Sequence, residues 1–227
     1  MASTIFLNPQ RNTLKQMTIN SRRTAIQQLL TGMAGLSLLG MPSCAAANGI
    51  ITADQTGPDP FYIPPTAPLQ PGPGGLDIRT LIHSHQTNKQ FSCVEFAVAA
   101  KKMGPAPHYH KELDELMYVL EGTATVMVED QFYDIPAGGW HFRPHGKIHT
   151  FFNKTDQSFR GIDMYFNQNF EDYLEELFHQ VIPDMRKKNV TQDDPEIAKR
   201  MHDLHERFGI VGFPEKRKGI MEKFNLK

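Results

Sequence analysis

The fifty residues from Gly104 to Asn153 constrain what this chain can become more than any other part of it. They hold Pro107-His108-Tyr109-His110, then Glu115 and Gly122. After fifteen intervening residues come Gly138, Pro144-His145-Gly146, His149 and Asn153. His108 and His110 are two apart, so on an extended strand both side chains leave the same face. Glu115 opens an alternating apolar run, Leu116-Met117-Tyr118-Val119-Leu120, which reads as the next strand with Glu121-Gly122 as its turn. Pro144-His145-Gly146 is a second turn signal, and His149 begins another strand with Thr150-Phe151-Phe152. If these strands line one barrel, all four ligand-type side chains can point inward. Three neutral imidazoles and one carboxylate form a mixed nitrogen and oxygen site. Such a site suits one divalent Fe, Mn, Ni, Co, Cu or Zn and leaves positions for water, O₂ or substrate. A single histidine is more often an ordinary polar residue; four ligand-type residues at these spacings favour a metal.

The flanking sequence has the same rhythm. Leu76 to Ile82 and Gln90 to Ala100 carry the β-branched and aromatic content of strands. Thr123 to Val128 is the return strand after Gly122. Glu129-Asp130-Gln131 is a tight turn, Phe132 to Ile135 the next strand, and Pro136-Ala137-Gly138-Gly139 another turn. About nine short strands between Leu76 and Phe166 predict a small antiparallel barrel or jelly roll.

With these motifs in view, the chain resembles the cupin superfamily, specifically single-domain cupins of the quercetinase-like dioxygenase group. The first motif is matched as His108-x-His110, four residues, Glu115, six residues, Gly122. The second is matched as Gly138, five residues, Pro144-x-Gly146, two residues, His149, three residues, Asn153. One departure is Lys102, where the family's first motif opens with glycine; Gly104 is the candidate to take over that turn. The resemblance implies a mostly β fold: a single small antiparallel jelly-roll β-barrel followed by a C-terminal α-helical extension. It implies His108, His110, Glu115 and His149 as metal ligands and Asn153 as a turn-holding residue that does not coordinate. It leaves the reaction open, because cupins host dioxygenases, decarboxylases, isomerases, epimerases and non-catalytic binders. The expected function is an exported mononuclear metal enzyme, an O₂-using oxidoreductase similar to cupins that cleave flavonols or diketones. Glu115 would then serve as ligand and as base, and the substrate would be a small organic molecule. The alternatives are a metal-dependent sugar isomerase or epimerase, and a non-catalytic cupin that binds a metal or small ligand. Inward-facing Arg, Lys or additional acids would favour carbohydrate or acid substrates.

Alternation places Met117 and Val119 on the face of Glu115 and Phe151 on that of His149, so these should wall the site. Trp140, Phe142 and Phe132 are further candidates for its lining. His141 and His145 are expected at the surface, and His83 and His85 in a loop. Cys93 is expected to be a small buried hydrophobe.

The chain divides by composition. Residues 1–47 read as an export signal resembling the twin-arginine type. Arg22-Arg23 precedes a weakly apolar stretch and the cleavage-like Ala45-Ala46-Ala47, and Met17 is an alternative start. Export would place the protein in the periplasm or outside the cell. Cys44 in a loosely lipoprotein-like context is the only route to a membrane tether. Residues 48–75 are a Pro/Gly-rich arm, with seven prolines between Gly57 and Gly75, that straps the barrel or swaps onto a second subunit of a homodimer. Residues 76–167 are the barrel and 168–227 the helical extension. In that extension Phe170, Tyr173, Leu174, Leu177, Phe178 and Val181 follow helical spacing, and Pro183 should kink or end the helix. Asp194-Pro195 opens another helix, His202 and His205 are expected to be solvated, and so is Lys216-Arg217-Lys218. The first 53 residues contain four of the 24 basic residues and none of the 25 acidic ones. Subtracting those four leaves 20 basic against 25 acidic residues, a mildly acidic body for which nucleic acid is not an expected partner.

Overall fold

The computed structural model describes residues 57–227. The export reading of residues 1–47, including Cys44 and Met17, lies outside the described residues. Ten strands run between Leu76 and Phe166: β1 (Leu76–Ile82), β2 (Phe91–Val98), β3 (Lys102–Met103), β4 (His108–His110), β5 (Asp114–Glu121), β6 (Thr123–Val128), β7 (Gln131–Pro136), β8 (Trp140–Arg143), β9 (His149–Asn153) and β10 (Phe159–Phe166). They form two antiparallel sheets of a jelly-roll barrel. One is ordered β1-β2-β10-β5-β8; the other contains β4-β9-β6-β7, with β3 beside β9. Alternation on β5 buries Glu115, Met117 and Val119 and leaves Leu116, Tyr118 and Leu120 half-buried. Met117 and Val119 join Val94, Phe96, Val126 and Phe159 in the core between the sheets.

Two glycines explain how the strands turn and approach. Gly122 has φ +73°, and a Cβ there would stand 2.8 Å from the Ser158 carbonyl, so the β5–β6 turn needs glycine. Gly104 donates to the Phe151 carbonyl at 3.1 Å, and a Cβ there would fall 2.2 Å from that same oxygen. The entry to the first motif therefore depends on close approach to β9 at Gly104, while Lys102 pairs with Asn153 as part of β3. Asn153 is fully buried. It donates to the carbonyls of Val98, Ala99 and Gln157 at 3.3, 3.0 and 2.7 Å and accepts from the Thr155 amide at 2.9 Å. It holds the turn out of β9.

The C-terminal extension consists of α1 (Phe170–Glu176), α2 (Ile182–Lys188), α3 (Pro195–Arg207), β11 (Ile210–Gly212) and α4 (Glu215–Phe224). Pro183 does not end the helix. A π-helical turn over Leu177–Val181 joins α1 to α2, with the Ile182 amide bonded to the Leu177 carbonyl. Opening the ladder there lets the helix carry on past a residue that has no amide hydrogen. Asp194 caps α3 by accepting from the amides of Glu196 and Ile197 at 3.0 and 3.3 Å, with Pro195 in the first turn. The buried faces of these helices, Phe170, Tyr173, Val181, Ile197, Leu204 and Phe208, belong to the same core as the barrel interior. The extension thus closes one end of the barrel. α4 instead covers the outside of the second sheet, where Ile220 packs with Met103, Met127 and Phe152.

Two expectations for the extension need correction. Ile210–Gly212, inside the stretch expected to be helical, is a strand and pairs with β4. Its signal, two β-branched residues between Gly209 and Gly212, is too short to show a period. Arg217 is half-buried and donates to the Gly104 carbonyl at 2.7 Å, so it is not part of a solvated cluster.

The Pro-rich arm lies along its own barrel from Ala67 onward. Arg79 donates to the Ala67 carbonyl at 3.0 Å, and the Leu69 amide donates to Glu95 at 3.4 Å. Glu95 is buried on β2 and also accepts from Arg79 Nε at 3.0 Å and from Arg160 Nη1 at 2.6 Å. Phe61, Tyr62 and Ile63 stay exposed.

Candidate metal centre

β4 and β9 lie side by side with His108 opposite His149, which places three imidazoles on one inner patch. Ring centroids are 4.9 Å apart for His108 and His110, 4.6 Å for His108 and His149, and 5.4 Å for His110 and His149. The fourth group, Glu115, comes from β5 in the opposite sheet. One ligand-type atom from each of the four residues lies within 4.8 Å of all the others. Closure of the barrel brings them together, because they belong to two sheets that share no hydrogen-bonded strand pair here.

The imidazoles are oriented from behind. Nδ1 of His108 lies 2.8 Å from the Ala106 carbonyl, and Nδ1 of His149 lies 2.9 Å from that of Lys147. A carbonyl only accepts, so each Nδ1 carries a proton and Nε2 is the nitrogen turned toward the cluster. Burial, then the neighbouring His149 and His110, pushes His108 well below the ordinary imidazole range, so it is neutral. Nε2 of His110 and of His149 are buried and have no hydrogen-bond partner. They lie 3.2 and 3.1 Å from Glu115 oxygens, near it but off the hydrogen-bond direction. Buried polar atoms left without partners are costly, and a cation among the four groups would satisfy them. The donor set, three imidazole nitrogens and one carboxylate, therefore fits a divalent transition metal.

Behind Glu115 stands a residue that pattern reading passed over. Arg143 is 1% exposed, with Nε 2.8 Å from Glu115 Oε2 and Nη2 2.5 Å from Asp163 Oδ1. Strand register accounts for this, since Glu115 pairs with Arg143 across β5 and β8. Burial alone would raise the Glu115 carboxyl; the Arg143 guanidinium outweighs it and holds the group well below the usual range, so it stays ionised. Burial pushes Asp163 up to about 6, against the pull of Arg143. The available signal was parity: Arg143 and His141 are two apart on β8.

That parity also corrects the expected lining. Trp140 and Phe142 point outward and are 53% and 54% exposed, because His141 and Arg143 take the inner positions. Phe132 packs outside the barrel against Phe152 and Phe224. Met117 and Val119 are fully buried on the face of Glu115, and the Phe151 ring lies 5.7 Å from the Arg143 guanidinium. The helical extension supplies a further wall. Phe170 stands edge-on to His110 at 4.8 Å and stacks on Tyr173, whose hydroxyl lies 3.3 Å from His205 Nε2. His205 is therefore packed, not solvated.

The remaining histidines lie outside the four-residue cluster. His145 is exposed and held by Asp114 at 2.8 Å. His141 is half-buried, not at the surface, and burial beside Arg143 lowers it to about 4. His83 is near Glu175 and Asp172 of α1, an acidic surface group assembled only by the fold. Cys93 is buried, and burial pushes its thiol up to about 12.

Residues 94–165 match the family model described as "Cupin domain". A protein of Aquifex aeolicus (strain VF5), described as uncharacterized, is 33% identical over 57 residues, which is 25% of this chain and 47% of that protein. The chain thus spans about half the length of this curated relative. Among solved structures, KdgF from Halomonas sp. is similar at 19% identity and a TM-score of 0.39, over 43% of this chain and 84% of that one. The polyketide cyclase RemF from Streptomyces resistomycificus is similar at 26% identity and a TM-score of 0.38, over 44% of this chain and 70% of that one.

Proposed function

We propose, from the match of residues 94–165 to the cupin-domain model, that the chain is a mononuclear metal-dependent enzyme of the cupin kind. In this reading His108, His110, Glu115 and His149 hold one divalent transition metal, and a small organic substrate binds beside it through oxygen donors. The observation that carries the reading is the orientation of the imidazoles. Backbone carbonyls occupy Nδ1 of His108 and His149, and buried Nε2 atoms face the cluster without hydrogen-bond partners. When bound, a metal at this site supplies Lewis acidity toward substrate oxygens and, if it is redox-active, a place for O₂ chemistry. The chain's own residues do the rest. The Ala106 and Lys147 carbonyls fix the tautomer and aim of two imidazoles. Glu115, kept ionised by Arg143, offsets part of the cation's charge; when its coordination loosens, it is the carboxylate placed to take a proton from substrate. Phe170, Met117 and Val119 keep water from the buried side. His108, the least buried of the four, marks the side from which substrate approaches.

The first activity to test is O₂-using oxidation of a small enol or flavonol-like substrate. A second reading, Lewis-acid isomerisation or an acid substrate, is favoured by a specific observation: the inner wall holds Arg143 and Asp163 beside its apolar residues. Metal content by elemental mass spectrometry on the wild type and His149→Ala tests the shared premise. Near one metal per chain, lost in the variant, is the expected result; no stoichiometric metal in either protein sinks it. O₂ consumption coupled to substrate loss then supports the oxidative reading, and sugar conversion without O₂ supports the second. From residues 1–47 we also propose export from the cytoplasm, tested by N-terminal sequencing of the mature protein; an intact N-terminus in a cytoplasmic fraction would refute it.

A further inference from the structure

An antiparallel sheet with one face on the core normally turns polar residues outward. The outward face of the five-stranded sheet departs from this over its β10–β5–β8 half. Strand register lays two rows across that face. One runs Trp140, Tyr118 and Ile162, then Glu95 and Arg79 on β2 and β1. The next runs Phe142, Leu116 and Met164. The Glu95–Arg79 end lies beneath the chain's own arm, which is tied there by the Leu69 amide and the Ala67 carbonyl. The six apolar residues occupy the other end. Four are half-buried, and Trp140 and Phe142 are exposed, with the Trp140 and Tyr118 ring centroids 4.4 Å apart. The ion pairs Asp114–His145 and Glu121–Arg160 border the patch along the strands. An apolar centre with a polar border is the anatomy of a protein–protein interface. Among the described residues nothing covers it.

The same chain displays a second apolar segment without a partner. Phe61, Tyr62 and Ile63 are 47%, 80% and 39% exposed. Pro58, Pro60, Pro64 and Pro65 flank them. These prolines hold the segment extended, so it loses little entropy on docking, and they bar it from adding to the β8 edge as a regular strand. It is suited to lie on a sheet face.

We propose that these two surfaces meet between two copies of this chain: Phe61, Tyr62 and Ile63 of each copy pack on the Trp140, Tyr118 and Phe142 face of the other. A two-fold pair covers both surfaces twice with no further component, whereas a foreign partner would have to match each of them. At ~150–250 Å² per large side chain, the exposed parts of the arm and the patch come to roughly 700 Å² per copy, close to the ~800 Å² that each partner contributes to a stable interface. Six residues separate Phe61 from the anchor at Ala67, about 19 Å in polyproline form, which gives the arm its reach. The proposal is independent of the metal centre. It accounts for two large aromatics on the outward side of β8.

The test is sedimentation velocity on the full chain over a range of concentrations, with circular dichroism to confirm that each variant is folded. Wild type should sediment as a dimer. The face variant Trp140→Glu/Phe142→Glu and the arm variant Phe61→Glu/Tyr62→Glu should each weaken self-association about a hundredfold or more. Mixed in equal amounts, the two variants should pair with each other more tightly than either pairs with itself, because the face variant's arm can dock on the arm variant's intact face. If the face variant does not fold, the arm variant, altered outside the barrel, carries the comparison with wild type. A wild type that sediments as a monomer overturns the proposal. So does an arm variant as dimeric as wild type, which would mean that the copies meet elsewhere. A mixture no more associated than its separate components overturns the reciprocal docking of arm on face.

Discussion

Replacing Glu95 by Gln removes a buried negative charge and little volume, so its effect reports on that charge. Glu95 accepts from Arg79 and Arg160 and from the Leu69 amide, and so joins the Pro-rich arm to β1, β2 and β10. Charge-assisted hydrogen bonds contribute about 1.5–3 kcal/mol each. Arg79 is 32% exposed and Arg160 18%, so water takes over part of what they lose. The net cost should be about 2–4 kcal/mol, which for a domain of this size lowers the melting midpoint by roughly 5–15 °C. The pH dependence has a definite sign. Burial would raise the Glu95 carboxyl, but the bonds from Arg160 and Arg79 outweigh it and hold the group below its ordinary 4.5. A carboxyl depressed in the folded state contributes its full stability above the unfolded value and loses it as pH falls through the folded value. Urea denaturation of wild type and Glu95→Gln from pH 7 to pH 3.5 should show a constant gap at neutral pH that narrows below about pH 4.5. A gap that stays constant throughout, or widens in acid, would refute the claim that the carboxylate charge anchors this network.

Four further outcomes are expected. Stripping the metal with a chelator should lower the melting midpoint of wild type but not of His149→Ala; at a hundredfold excess over Kd the bound metal contributes about 2.7 kcal/mol. Asn153→Ala should cost about 2–4 kcal/mol through its lost turn hydrogen bonds, while the folded variant keeps its metal stoichiometry; metal loss at unchanged stability would make Asn153 a ligand. Phe170→Ala should cost about 3–5 kcal/mol and speed metal release to a chelator, and an unchanged release rate would show that the helical extension does not shield His110. Cys93, whose thiol is pushed up to about 12, should label with a thiol reagent at pH 8 only after denaturation, read by mass spectrometry of its peptide; rapid labelling of native protein would contradict its burial.

Much of the barrel was legible because short-range rules apply to it. Period-two alternation identifies β5 and the inner position of Glu115, and glycine at turns with positive φ identifies where β5 ends. Asn153 as a turn-holding residue and Gly104 as a turn were expected from the resemblance to the family's motifs; Asn153 does hold its turn, whereas Gly104 makes a close approach to β9. The misreadings share another cause. Trp140 and Phe142 looked like pocket lining because they are large and apolar, but the register of β8 against β5 gives the inner face to Arg143. Ile210–Gly212 became a strand only because β4 offered an unpaired edge. Of the two outcomes expected at Pro183, a kink or an end, the end does not occur, because the helix continues through a π-helical turn.

By itself, then, the order of residues determined the strand rhythm, the turns and the four groups suited to a metal, because spacing along a strand dictates which side chains share a face. Only the tertiary structure decided that the histidines and Glu115 meet from opposite sheets, and that Arg143 and Asp163 stand behind them. It also decided that Phe170 of the helical extension closes over His110. Those contacts depend on strand register, barrel closure and packing across long stretches of chain, none of which leaves a periodic mark in the residues that make them.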